Sequence, residues 1–204
     1  MNKFFNLATN LILIKDLSTL IDFDLLRAEF NNFEFKRNKY NDISIDQHLF
    51  NNDKFVDMKE ILEQECKNFL HNAYAADQFD QIEISQSWAN KTEKGGHHQD
   101  HAHPFSIVSG VLYLDDNPDN LNFAMNTTFQ EIPCYLYRKQ SYVTIKNLVN
   151  PDHNLQNHLL LILSNVGHRV LPATTDMVRR TIAFNTFWKG HTGTDDTLNS
   201  RIFE

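Results

Sequence analysis

The sequence is short of the residues that staple or break a chain. Its 204 residues include only two cysteines, six glycines and five prolines. Cys66 and Cys134 lie far apart and form no CxxC pair, which excludes a disulfide framework and points to buried thiols in a reducing compartment. Scarce glycine and proline, beside 41% hydrophobic and 12% aromatic residues, argue against disorder. No apolar run approaches the roughly 18 residues that a membrane span needs. The opening Met1-Asn2-Lys3-Phe4-Phe5 is interrupted by Asn6 and Asn10, which argues against a signal peptide. Basic residues are outnumbered 19 to 26, for a formal charge of −7, so no general nucleic-acid or anionic-membrane surface is expected. The expectation is one cytoplasmic domain over 1–204.

The chain divides by its hydrophobic period. Asn10 to Lys15 is a short apolar, β-branched run that predicts a strand, and Leu20 to Phe30 predicts a short helix. Residues 31–54 are rich in Asn, Asp and Lys without periodicity and read as surface loop. Met58, Ile61, Leu62, Cys66, Phe69 and Ala73 recur at helical spacing and predict a helix over 55–76 with its apolar stripe on a core. The period then changes to two. Ile82, Ile84, Gln86, Trp88 and Asn90 would share one face of a strand. Further strands are expected at 106–114, at Leu121-Asn122-Phe123, around Ser141 to Ile145, at Leu159 to Leu163 and at Arg180 to Trp188. The tail from 189 is polar and expected to be mobile. Helices first and many short strands after them predict helices packed on an antiparallel β-sandwich or barrel, with a helical part over about 1–80 and a barrel over about 81–188.

One stretch dominates the chemistry: Gly95-Gly96-His97-His98-Gln99-Asp100-His101-Ala102-His103-Pro104. Imidazole and carboxylate are the usual ligands of a borderline metal, and alternate residues of an extended chain share a face. His98/Asp100 is one candidate pair and His101/His103 is another. The two have opposite parity, so a regular strand cannot aim both at one metal. Downstream, His168 precedes Arg180 by 12 residues, and a hairpin of that length could bring the two to one cavity. On the last strand, Arg180 has the parity of Ile182 and Phe184, so it would point inward with them. An inward guanidinium needs an anion, and its planar fork suits a carboxylate.

These pieces in this order resemble the iron(II)- and 2-oxoglutarate-dependent oxygenases, more specifically a branch common in bacteria and tailed phages. The matching text is Ser87-Trp88-Ala89-Asn90, Gly95-Gly96-His97-His98, His101-Ala102-His103-Pro104, Ser109-Gly110-Val111-Leu112-Tyr113-Leu114, Gly167 to Pro172, and Arg180 to Asn185. The resemblance implies a double-stranded β-helix, a jelly roll or cupin-like barrel, flanked by N-terminal helices. It implies iron(II) at one mouth, 2-oxoglutarate as co-substrate, ascorbate as accessory reductant, and hydroxylation of a small-molecule or peptide substrate. If the chain is phage-encoded, it would act in the host cytoplasm. In that branch the position of His101-Ala102-His103-Pro104 carries the first two ligands. The resemblance therefore favours His101, His103 and His168, with Arg180 on the far carboxylate of 2-oxoglutarate and Tyr113 beside it. The wider superfamily's His-x-Asp rule instead fits His98 and Asp100, and an all-histidine site would be more positive by one charge. Two rivals stand beside this reading: a cupin-like metal enzyme that does not use 2-oxoglutarate, and a non-catalytic structural or interaction barrel.

Overall fold

The computed structural model describes residues 3–7, 10–74, 82–116, 121–124, 142–144, 154–192, 196 and 200–203. Its centre is an 8-stranded antiparallel sheet. The strands are β1 (Lys3–Leu7), β2 (Asn10–Asp16), β3 (Phe35–Arg37), β4 (Asp42–Ser44), β5 (Ile82–Thr92), β7 (Val108–Tyr113), β10 (His158–Leu163) and β12 (Arg179–Trp188), in the order β1-β2-β10-β7-β12-β5-β4-β3. A 4-stranded sheet faces it: β6 (His98–His101), β11 (His168–Val170), β8 (Leu121–Ala124) and β9 (Tyr142–Thr144). Two packed antiparallel sheets of this kind are the expected jelly roll, a double-stranded β-helix.

Both faces of the large sheet are covered, and this decides where every strand residue points. On the outer face lie α1 (Phe23–Phe30) and α2 (Val56–Tyr74). Asp22 caps α1, its carboxylate accepting from the Leu25 N–H at 2.9 Å. The stripe Met58, Leu62, Cys66 and Phe69 of α2 forms one core with Leu112, Leu159, Leu161, Ile182 and Phe184. On the inner face a second cluster holds Ile12, Ile14, Tyr113, Leu160 and Ile162. The run Leu159 to Ile162 thus serves two cores at once, which is why it lacks polar alternation. Gly110 lies opposite Phe184 in the ladder, and a Cβ there would run into the Phe184 ring.

Two expectations are corrected, and the tail carries secondary structure of its own. Residues 31–54 are not loop throughout: β3 and β4 extend the sheet, and Leu49 and Phe50 are buried. Polar side chains do the anchoring, as the Phe50 N–H donates to Ser87 Oγ at 2.9 Å and the Ala89 N–H to Ser44 Oγ at 3.0 Å. The even positions of β5 do not share one face, because Asn185 pairs with Gln86 while Thr186 pairs with Ile84. Ser85 is the extra residue of a β-bulge, so Ile82 and Ile84 join the helix-side core while Trp88 and Asn90 face inward. The tail contains a two-stranded ribbon, β13 (Gly190–Thr192) with β14 (Arg201–Phe203), and Phe203 packs edge-on against Phe187 at 5.4 Å. Cys66 is buried as expected, whereas Cys134 lies outside the described residues. Among the described residues no helix is long and apolar enough to cross a membrane.

Candidate metal centre

The histidine run becomes β6 and the turn that follows it. His101 lies directly opposite His168 in the ladder, but Val170 lies opposite His98. From His98 to His101 is three residues, whereas from His168 to Val170 is two. A bulge at Gln99-Asp100 absorbs the difference and resolves the conflict of parity. It lets His98 and His101 face the cavity together, and normal alternation then carries His103 to the same side.

Among the described residues His101, His103 and His168 form a group whose candidate ligand atoms all lie within 4.8 Å of one another. Ring centroids are 4.3 Å apart for His101–His168, 5.0 Å for His101–His103 and 5.1 Å for His103–His168. The Nδ1 atoms of His101 and His168 sit 2.7 Å from the Gln99 carbonyl and 2.8 Å from the Val166 carbonyl. A carbonyl oxygen can only accept, so each Nδ1 carries the proton and each Nε2 keeps its lone pair for a metal. His103 is fixed from behind, its backbone N–H donating to the Ser164 carbonyl at 2.8 Å, and its ring lies 6.1 Å from that of Trp88. Burial, and then the neighbouring imidazoles, push the pKa of His168 down to about 3 and that of His103 to about 4. The site therefore favours neutral imidazoles, the form that binds metal.

Asp100 is not part of this group. The bulge turns it outward, where its Oδ2 is 3.9 Å from Arg169 Nη1, and it does not line the cavity. The His98/Asp100 alternative thus has its imidazole in the cavity and its carboxylate outside.

The guanidinium is corrected by one residue. Arg180 does share the face of Ile182 and Phe184, but that face is the helix side. There its Nε and Nη2 donate to Asp115 at 2.9 and 2.7 Å, and it lies 5.7 Å from the Phe30 ring. Arg179 faces the cavity instead, 5% exposed, with both terminal nitrogens buried. It is joined there by Thr181, Asn90 and Tyr113. The sequence carried a signal for this: Thr181 and Ala183, alternating with Ile182 and Phe184, are small enough to leave a hollow. Tyr113 is buried, and burial pushes its pKa up to about 12 against the opposing charge of Arg179, so it remains a neutral phenol. Of the other histidines, His97 stacks on Tyr40 at 3.9 Å and His191 meets Ser200 Oγ at 2.6 Å, while His153 lies outside the described residues.

The arrangement offers three convergent imidazoles at one end of a cavity of about 90 Å³ and a buried guanidinium with a neutral phenol elsewhere on its wall. Comparison with known proteins agrees with that chemistry. Residues 86–185 match the family described as "Putative 2OG-Fe(II) oxygenase". No curated protein matches in sequence. Among solved structures, HygX from Streptomyces hygroscopicus with nickel, 2-oxoglutarate and hygromycin B bound is similar at TM-score 0.58 and 11% identity, over 86% of this chain and 82% of its own. The non-heme alpha ketoglutarate dependent epimerase SnoN from nogalamycin biosynthesis is similar at TM-score 0.62 and 11% identity, over 88% and 79%. A Pseudomonas putida prolyl-4-hydroxylase is similar at TM-score 0.53 and 15% identity, over 87% and 93%. At such identities the likeness is one of fold.

Proposed function

We infer, from the match of residues 86–185 to the family described as "Putative 2OG-Fe(II) oxygenase", that this protein is an iron(II)- and 2-oxoglutarate-dependent dioxygenase. The observation that carries the reading is the convergence of His101, His103 and His168 in the same cavity as Arg179. The donor set fits iron(II): two of the three imidazoles have their Nδ1 protons committed to backbone carbonyls and their Nε2 lone pairs available. When bound, iron(II) with 2-oxoglutarate and dioxygen supplies oxidation of an unactivated C–H bond, coupled to decarboxylation of the co-substrate.

The chain's own residues supply placement. His101, His103 and His168 would hold the metal on one side and leave its remaining positions open. Arg179 would receive the distal carboxylate of 2-oxoglutarate through two parallel N–H bonds, and the neutral Tyr113 phenol would donate a third. Thr181, on the same face as Arg179, would complete that end. The inner cluster of Ile12, Ile14, Leu160 and Ile162 keeps the wall dry and strengthens those contacts. Related folds host an epimerase and a prolyl hydroxylase, so the outcome at the substrate is a property of the mouth rather than of the barrel. We take hydroxylation of a small molecule or peptide, with ascorbate as accessory reductant, as the simplest assignment.

The test is consumption of 2-oxoglutarate. Purified protein with iron(II) and ascorbate should release succinate and CO₂ slowly in air, and chelation should stop it. Absence of both turnover and 2-oxoglutarate binding would end this reading in favour of a metal-binding barrel with another role.

A further inference from the structure

The bulge in β6 has a product that the metal triad does not use. Regular pairing would place only one of His98 and His101 on the cavity side, whereas the extra residue at Gln99-Asp100 brings both. Bulges are retained where they re-aim a side chain, and here the side chain gained is a fourth imidazole. It is not in the convergent group, since its ring centroid lies 6.4 Å from that of His101 and it is absent from the set within mutual ligand distance. It shares the cavity wall with Arg179, Asn90, Thr181 and Tyr113. His98 thus stands next to the metal end of the cavity, in the wall that Arg179 also lines, outside the ligand group and with a ring N–H to give.

From this position, and resting on the co-substrate assignment above, we infer that His98 is a 2-oxoglutarate-binding residue that donates a hydrogen bond to the co-substrate, and that it is not a metal ligand. The diacid would occupy the cavity between the triad and Arg179, so a donor in the wall shared by both is placed to contact it. The β6 bulge is then a device that serves two purposes with one strand, presenting a metal ligand at His101 and a co-substrate contact at His98.

The test uses the full chain loaded with nickel(II), a redox-silent stand-in, and reads metal affinity and 2-oxoglutarate affinity separately by calorimetry. His98→Ala should leave nickel affinity within about twofold and weaken 2-oxoglutarate about tenfold, the cost of one hydrogen bond to a charged group. His98→Gln, which keeps an N–H donor and a polar side chain, should recover most of that loss. If His98→Ala lowers nickel affinity as His168→Ala does, His98 is a ligand and the inference is overturned. Unchanged 2-oxoglutarate affinity in both variants overturns it equally. Failure of the wild-type nickel protein to bind 2-oxoglutarate at all would instead strike the functional reading on which the inference rests.

Discussion

Replacing each of two adjacent arginines separates this account from its nearest competitor. Arg179 is 5% exposed and faces the cavity, whereas Arg180 is paired with Asp115 on the helix side. If Arg179 holds a carboxylate by two charge-assisted bonds, its removal leaves that carboxylate buried and uncompensated. Losses of this kind are about 3–5 kcal/mol, and 1.4 kcal/mol is tenfold, so 2-oxoglutarate affinity should fall by roughly 10² to several times 10³ in Arg179→Ala. Arg179→Lys should be intermediate, since an ammonium keeps the charge but not the fork. Arg180→Ala should leave the affinity unchanged. It loses a half-buried pair, with side chains 26% and 17% exposed, and its contact with Phe30, worth together about 1 kcal/mol of stability after discounting for solvent. The assay is anaerobic titration of the metal-loaded variants with 2-oxoglutarate beside a urea melt. An Arg180→Ala protein that folds but no longer binds 2-oxoglutarate, next to an Arg179→Ala protein that does, would refute the assignment.

Other perturbations have expected outcomes of their own. In metal-free protein the His168 pKa stands near 3 against an ordinary 6.5, so between those values the unfolded chain binds the extra proton and stability falls as pH drops. Urea melts should lose roughly 1–2 kcal/mol from His168 alone between pH 6.5 and 5, since the slope reaches its full 1.36 kcal/mol per pH unit only well below 6.5. Gly110→Ala should cost about 1–3 kcal/mol by overpacking against Phe184, read as a lowered melting temperature with unchanged metal affinity. Phe69→Ala empties the core under α2 and should cost about 3–5 kcal/mol by the same measure. Phe105 holds φ 57 while 92% exposed, so Phe105→Gly should raise stability by about 1 kcal/mol.

What the sequence revealed and what it hid follow from the same geometry. The α2 stripe and the apolar run of β10 were legible because burial imposes a period that a reader can count. The loop assignment of 31–54 failed because Asn41, Ser44 and Ser87 are buried polar residues, held by hydrogen bonds that no hydropathy pattern records. Parity reasoning failed twice, at Ser85 and at Gln99-Asp100, because a bulge adds one residue without a compositional mark. The choice of arginine failed for a different reason. Counting alternate residues of β12 correctly grouped Arg180 with Ile182 and Phe184, but a sheet buried on both faces has two inward directions, and only Arg179 faces the cavity. The histidines were legible as candidate ligands by type, and the resemblance already favoured His101, His103 and His168, the three that the structure brings together while it turns Asp100 away.

In the proposed reading His101, His103 and His168 hold iron(II) in a cavity that also receives 2-oxoglutarate. The most direct measurement is anaerobic titration of the iron(II) protein with 2-oxoglutarate, following the weak visible charge-transfer band of a 2-oxo acid chelated to iron. A band that saturates in the wild type and is lost with the metal in His168→Ala is the expected result. Tightly bound iron with no band at any 2-oxoglutarate concentration, or a band that persists in His168→Ala, would contradict it.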